Sequence, residues 1–313
     1  MGRTIPVAIM TALAVGATSI AGVPVAQAQS HPIYRTMLGI GQDESSATFS
    51  WRSDYAGQEF VRVTPVDQPD ATQQVPAYDV DAGADLFDSK HAEITGLTPA
   101  TSYSYQIGSD EGGWSNAYEF TTDDGDDTWN FLAFADAQIG VDLKIEENGQ
   151  AWRDATRTAT QTYPDSAFLM HLGDQVDGWG DQIAQYAQFF SPSEVRSYRT
   201  GVLYGNHEDY QLGQKYFDEH YNLPNETDNN ANYFFEHNNA LFIGINSMSS
   251  APADIQRHQE FIRQVVAQRG GDKAGSSLAC TTLLSPKAAT PTTTMSSLCA
   301  RGLPLSSPRL VLT

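Results

Sequence analysis

The stretch LYGNHE at residues 203–208 places an Asn-His pair directly after a short apolar run. In two earlier stretches, ADAQ at 135–138 and LGDQVD at 172–177, an apolar run stops in a similar way at an Asp. Apolar runs of this length indicate buried strands. Polar residues just past strand ends lie on the loops where α/β sheets build their sites. The three stretches together therefore predict an α/β domain with a polar site at the ends of its strands.

The residue types in these stretches favour a site for two metal ions. Carboxylate and amide oxygens and imidazole nitrogens are suitable ligands for first-row cations. We expect Asp174 to bridge two cations, Asp136 to hold one of them and the amide oxygen of Asn206 to hold the other. His207 would contact a phosphate oxygen or protonate a leaving alkoxide. Each phrase alone also fits a helix cap or a turn, but their order, each after an apolar run, favours the metal interpretation.

These phrases resemble the motifs of the calcineurin-like metallophosphoesterases, and most of all their bacterial purple acid phosphatase-like group. GDQVD at 173–177 is similar to the second motif, GNHE at 205–208 to the third, and ADAQ at 135–138 more loosely to the first. The resemblance covers about residues 31–270. It implies a dinuclear iron, zinc or manganese centre that hydrolyses phosphate esters, with a metal-bridging hydroxide as nucleophile.

The chain departs from the family pattern at several positions. Many relatives have His where Gln138 stands, and Gln138 could either donate its amide oxygen to a metal or hydrogen-bond beside the site. The purple enzymes have Tyr at the position of Asp177, so the purple charge-transfer colour is not expected. The family also supplies three further histidines, yet no histidine follows His258 in this sequence. We expect His258 to lie on a helix surface and His171 to be packed within a strand, while His220 and His237 have no ligand partner at useful spacing.

The N-terminal region has a different pattern of apolar and polar residues. Residues 29–122 contain short alternating runs with frequent turn residues, which predict an all-β sandwich. ITGLTPATSY at 94–103 resembles the corner of fibronectin type III domains, where a tyrosine hydroxyl binds upstream backbone. Residues 123–128 then form an acidic linker, which we interpret as a solvated connector because a calcium loop would need other spacing. The α/β layered metallophosphoesterase domain would follow over residues 129–272.

Within that second domain the apolar pattern predicts individual elements. Strands are expected at 129–135, 167–172 and 201–204, followed by a pair at 233–236 and 241–246. Helices are expected at 151–162, 183–190 and 255–267.

The N-terminus is typical of an export signal. Arg3 precedes a mostly apolar stretch at 5–20, and AQA at 26–28 fits a cleavage site. We therefore predict a signal peptide over residues 1–28 and a secreted or periplasmic mature protein that is not held in a membrane. The alternative, a membrane anchor, is disfavoured because the apolar stretch is short for a span of ~20 residues.

The last 41 residues, 273–313, contain no Asp or Glu, and 14 of them are Ser or Thr. Such a segment cannot easily form a core layer, so we predict a disordered or loosely packed tail. A reading-frame shift near residue 273 would explain the abrupt change and the missing family motifs; a divergent C-terminus is the alternative. The α/β domain is thus expected to be C-terminally incomplete. Cys280 and Cys299 lie in this tail, and we assign them no role.

The chain carries 38 acidic and 18 basic residues, a formal net charge of −20. This charge argues against a nucleic-acid partner, because proteins that bind nucleic acid present basic faces to the phosphates. The predicted function is a secreted hydrolase of phosphate monoesters, impaired in this form by the missing histidines. A phosphodiesterase or nucleotidase with the same centre and a non-catalytic exported binding protein remain as alternatives.

Overall fold

The computed structural model describes residues 31–269, apart from 82, 84–87, 127, 228–230 and 239, together with the backbone of 275–277. The predicted signal peptide at 1–28, Cys280 and Cys299 lie outside the described residues, as does the tail at 273–313 apart from 275–277. Those three residues form a short strand, and the predicted character of the rest of the tail stays a prediction. Within the described part of the chain, no helix is long and apolar enough to cross a membrane.

The N-terminal region consists of strands that form two facing sheets, as the alternating pattern predicts. One sheet runs in the order β1-β2-β6-β5 and the other in the order β4-β3-β7-β8, with β9 also paired to β7. The strands are β1 (Ile33–Ile40), β2 (Ala47–Ser53), β3 (Phe60–Pro65), β4 (Gln73–Pro76), β5 (Tyr78–Val80), β6 (Asp88–Ile94), β7 (Ser102–Ser109), β8 (Gly113–Trp114) and β9 (Tyr118–Thr121). Apolar side chains from both sheets meet between them, among them Phe49, Trp51, Val61 and Tyr105.

The second region alternates strands and helices. Its elements are β10 (Leu132–Phe134), a 3₁₀ turn (Val141–Leu143), α1 (Ile145–Thr162), β11 (Leu169–His171), α2 (Gln182–Phe189), α3 (Glu194–Ser197), β12 (Thr200–Val202), α4 (Gly213–His220), β13 (Tyr233–His237), β14 (Ala240–Gly244), α5 (Pro252–Arg269) and β15 (Gly275–Ser277). The predicted class, a β-sandwich followed by an α/β layered domain, is confirmed. Helices α3 and α4 were not predicted from the sequence pattern.

The three strands that precede the polar phrases pair in parallel. In the register of the sheet, Phe134 of β10 is opposite His171 of β11, and His171 is opposite Val202 of β12. Strand β12 also pairs in parallel with β1 of the sandwich, through Gly39 and Thr200. A single seven-stranded sheet therefore runs from the α/β region into the sandwich, in the order β10-β11-β12-β1-β2-β6-β5.

The remaining strands form a separate sheet in which β13 and β14 pair antiparallel, as predicted, and β15 joins β14 in parallel. Helix α5 covers this hairpin with Phe261 and Val265. His258 lies on the same face at helical spacing and is only 2% exposed, so its predicted surface position is wrong. Its Nδ1 accepts from Asn232 Nδ2 at 3.0 Å and its Nε2 donates to the Ser249 carbonyl at 2.9 Å.

Strand β2 is buried on both faces, although its alternation predicts one apolar and one solvated face. The polar residues of its second face bind the end of α4 and the residues that follow. Arg52 Nη1 donates to Glu219 Oε2 at 2.8 Å, and both side chains are at most 2% exposed. Ser50 Oγ donates to the His220 carbonyl at 2.6 Å. The second region thus covers the polar face of the sandwich through buried, paired polar groups.

The structure contains the corner that the segment 94–103 predicts, since Thr98 N donates to the buried hydroxyl of Tyr103 at 2.8 Å. We expect Tyr103→Phe to lower the free energy of unfolding by about 1–2 kcal/mol, because the Thr98 amide loses its acceptor. Urea denaturation measures this. Tyr118→Phe is the matched control, as that hydroxyl makes no hydrogen bond with the described residues, and an equal loss in both variants would contradict the prediction.

Candidate metal centre

The polar phrases meet at one edge of the sheet. Asp136, Asp174 and the pair Asn206-His207 each follow the carboxyl end of one of the adjacent parallel strands β10, β11 and β12. Because these strands are in parallel register, their loops leave the sheet side by side. The backbone N–H of Gln138 donates to the backbone carbonyl oxygen of Asp174 at 3.0 Å, which joins the first two loops.

The loops approach each other closely because two glycines stand at the contact. A Cβ at Gly173 would lie 2.9 Å from Gly205 Cα, and a Cβ at Gly205 would lie 2.2 Å from Asp174 Oδ1. Asp136 and Asp174 both adopt positive φ, at 55° and 57°. Such backbone conformations are costly for residues other than glycine and persist where the surrounding structure holds them, often at functional sites.

Three of the predicted side chains converge on the side-chain amide of Gln138. Its Nε2 lies 3.5 Å from Asp136 Oδ1, 3.4 Å from Asp174 Oδ2 and 3.4 Å from His207 Nε2. The amide nitrogen therefore faces the two carboxylates, which corresponds to the hydrogen-bonding alternative for Gln138. Its role as a metal ligand stays a prediction.

The charges at this point suit a cation. Burial, and after it the negative charge of Asp174, raise the pKa of Asp136, while His207 acts in the opposite direction. Two carboxylates that face one point repel each other, and a bound cation would remove this repulsion. The oxygens of Asp136 and Asp174 thus fit a metal ion in chemistry and in placement.

His207 is held in a defined orientation. Its Nδ1 donates to the Asp177 carbonyl at 2.7 Å, which leaves Nε2 facing Asp174 Oδ2 at 3.9 Å. The backbone N–H of His207 donates to Asp174 Oδ1 at 3.1 Å. The imidazole is 15% exposed, so a molecule bound at the edge of the sheet could reach it.

Glu208 is a structural residue of this site whose role was not predicted from the sequence. Its side chain is fully buried and accepts three backbone N–H groups, from Asp174 and Gly205 at 2.9 Å and from Gln175 at 2.8 Å. Burial raises its pKa to about 7, with a further contribution from Asp174 and opposing ones from these hydrogen bonds. Glu208 therefore ties the second loop to the third. The sequence contains a signal for this role, because a carboxylate next to a glycine-containing loop can accept hydrogen bonds from the free backbone N–H groups of that loop.

The other predicted residues are less closely connected to the cluster. Asn206 is partly exposed, and in the described part of the chain its amide makes no hydrogen bond to the other site residues. His171 is packed as expected, with its ring edge-on to Trp152 and Phe189 at centroid distances of 5.3 and 5.2 Å. His220 and His237 are also buried, at 2% and 1% exposure. Among the described residues, no three His, Cys, Asp or Glu side chains are grouped to hold a metal ion.

Comparison with known proteins agrees with this architecture. Residues 34–122 match the family model for the purple acid phosphatase N-terminal domain. Among solved structures, the chain is similar to the purple acid phosphatase PPD1 from seeds of yellow lupin, Lupinus luteus, with a TM-score of 0.60 and 16% identity. This match covers 79% of the present chain and 50% of the lupin chain, so the chain spans about half the length of that relative.

A more local likeness, with a TM-score of 0.24 and 17% identity, is to the sensor domain of the anti-sigma factor RsgI4 from Pseudobacteroides cellulosolvens. It covers 30% of the present chain and 89% of the sensor domain. No curated protein matches the chain by sequence. Residues 34–122 thus match the N-terminal domain of purple acid phosphatases, and the fold of the chain is similar to that of a purple acid phosphatase.

Proposed function

We propose that this chain is a secreted, metal-dependent phosphoesterase that acts on phosphate monoesters. The observation that supports this most is the convergence of Asp136, Asp174 and His207 on one point at the carboxyl ends of β10, β11 and β12. The purple acid phosphatase N-terminal domain and the fold agree with the proposal. Secretion rests on the signal at residues 1–28, which lies outside the described residues.

Each residue has a proposed part. Asp174 would bridge two ions of iron, zinc or manganese, with Asp136 on one ion and Asn206 on the other. When bound, these ions would activate water and neutralise phosphoryl charge. His207 would hold a phosphate oxygen or return a proton to the leaving oxygen from Nε2, because Nδ1 already donates to the Asp177 carbonyl. Glu208 would keep the Asp174 and His207 loops in contact.

We expect the turnover of the chain with this sequence to be low. A cation held by two carboxylates and an amide would have open positions filled by water, since among the described residues no three His, Cys, Asp or Glu side chains are grouped to hold a metal ion. Weak metal retention is the expected result, since affinity depends on the number and type of ligands.

The test combines metal analysis with turnover. Purified full-length protein would be incubated with iron, zinc or manganese, desalted, and assayed with 4-nitrophenyl phosphate and with bis(4-nitrophenyl) phosphate. Slow turnover of the monoester that depends on added metal supports the proposal. Faster turnover of the diester would favour a phosphodiesterase, and absence of metal-dependent turnover of either ester would favour a non-catalytic binding protein.

A further inference from the structure

We propose that Trp179, together with Tyr210, forms a subsite beside His207 that binds a flat aromatic group in the ester part of the substrate. This inference rests on the proposed function and names its substrate class: phosphate monoesters of aromatic or heteroaromatic alcohols. The observation that supports it is the position of Trp179, a large aromatic side chain that is exposed to solvent, lies on a well-held turn and contacts the candidate catalytic imidazole.

Trp179 lies between two glycines that form a tight turn. Gly178 and Gly180 both have positive φ, at 79° and 77°, and a Cβ at Gly178 would lie 2.4 Å from the His207 carbonyl oxygen. The glycine at 178 therefore allows the turn to approach the loop that carries His207. This places Trp179 directly beside the candidate centre.

Two buried amides of α2 hold the turn in place. Gln185 Oε1 accepts from the Gly178 N–H at 3.1 Å, and Gln185 Nε2 donates to the Trp179 carbonyl at 2.5 Å. Gln182 Nε2 donates to the Gly178 carbonyl at 2.6 Å. Both glutamines are at most 4% exposed. Because the backbone groups of this turn are already hydrogen-bonded, the turn does not have to become ordered when a ligand binds. This lowers the entropic cost of recognition.

The aromatic rings meet at the imidazole. Trp179 and Tyr210 lie with their centroids 3.6 Å apart, and each stands nearly perpendicular to His207, at 5.7 and 5.6 Å. Trp179 is nevertheless 45% exposed. Single exposed hydrophobic side chains are common, but this one stands in ring contact with the candidate catalytic imidazole of His207. The exposed part of the ring is available to stack on a planar group whose phosphate lies toward Asp136 and Asp174.

The test compares two esters that differ in the group beyond the phosphate. Isothermal titration calorimetry of the full-length chain with excess manganese would measure binding of phenyl phosphate and of glycerol 2-phosphate. We expect phenyl phosphate to bind about tenfold more tightly, as stacking on an exposed ring typically provides. Trp179→Leu should reduce the ratio to about one, and Trp179→Phe should retain most of it, because Phe keeps an aromatic face.

Tyr163→Leu is the matched control, since Tyr163 is 42% exposed but follows α1 at the opposite end of the strands from His207. Equal binding of the two esters by the unmodified chain, or a preference that survives Trp179→Leu, would overturn the subsite. Hydrolysis of both esters, measured in parallel, separates this result from the proposed function. Hydrolysis of both esters together with equal affinity for them contradicts the subsite alone, whereas aromatic preference in binding without hydrolysis supports the subsite and contradicts the phosphoesterase.

Discussion

Replacing Asp174 by Asn is expected to weaken binding of manganese or zinc by about two orders of magnitude or more and to abolish metal-dependent turnover. Even residues that only support metal ligands cost about 10–100-fold in affinity when changed, so loss of a charged group that is proposed to bridge two ions should cost at least as much. Asn is the appropriate replacement because its amide oxygen can still accept from the His207 N–H, which lies 3.1 Å from Asp174 Oδ1. Calorimetric titration with each metal measures the effect.

Asp154→Asn is the control for this experiment, since Asp154 is a half-exposed carboxylate that pairs with Arg157 on the surface of α1. A change there also removes one negative charge, but it should leave metal affinity within about twofold, because exposed charges at a distance are screened by salt. If Asp174→Asn binds metal as the unmodified chain does, the assignment of the site at this edge of the sheet is wrong.

The second large effect is expected at the contact between the sandwich and α4. Replacing Arg52 by Met should lower the free energy of unfolding by about 3–5 kcal/mol, because the Glu219 carboxylate stays buried after its charged partner is removed. Arg52 and Glu219 are 1% and 2% exposed. Chemical denaturation followed by circular dichroism would measure the loss, and the double variant Arg52→Met with Glu219→Leu should recover part of it.

Arg157→Met is the matched control for Arg52→Met, because Arg157 forms an ion pair with Asp154 in which both side chains are about half exposed. Exposed pairs of this kind contribute at most about 1 kcal/mol. A loss at Arg52 no greater than the loss at Arg157 would show that the buried pair does not stabilise the junction. Helix α4 begins shortly after Glu208, so loosening this contact should also reduce metal affinity.

Local pattern predicted much of the fold. The alternating runs of the sandwich, the apolar strands before Asp136, Asp174 and Asn206, and the corner at Tyr103 depend on neighbouring residues in sequence, and the structure contains all of them. Helix α4 was not predicted because its apolar positions are few. His258 shares the buried helical face of Phe261 and Val265, so the helical period by itself indicates its burial, contrary to the predicted surface position.

The sequence by itself determined the class of the two regions, the order of the three site loops and the residue types they carry, because strand period and turn chemistry are local properties. Only the tertiary structure decided which polar groups are buried and where the loops meet. Arg52 looks like a solvated strand residue until α4 covers it, and Gln138 acquires its place between two carboxylates only when parallel strands bring distant loops together. Glu208 and Trp179 likewise owe their positions beside Asp174 and His207 to contacts between loops that are far apart in sequence, and such contacts depend on the register of the whole sheet.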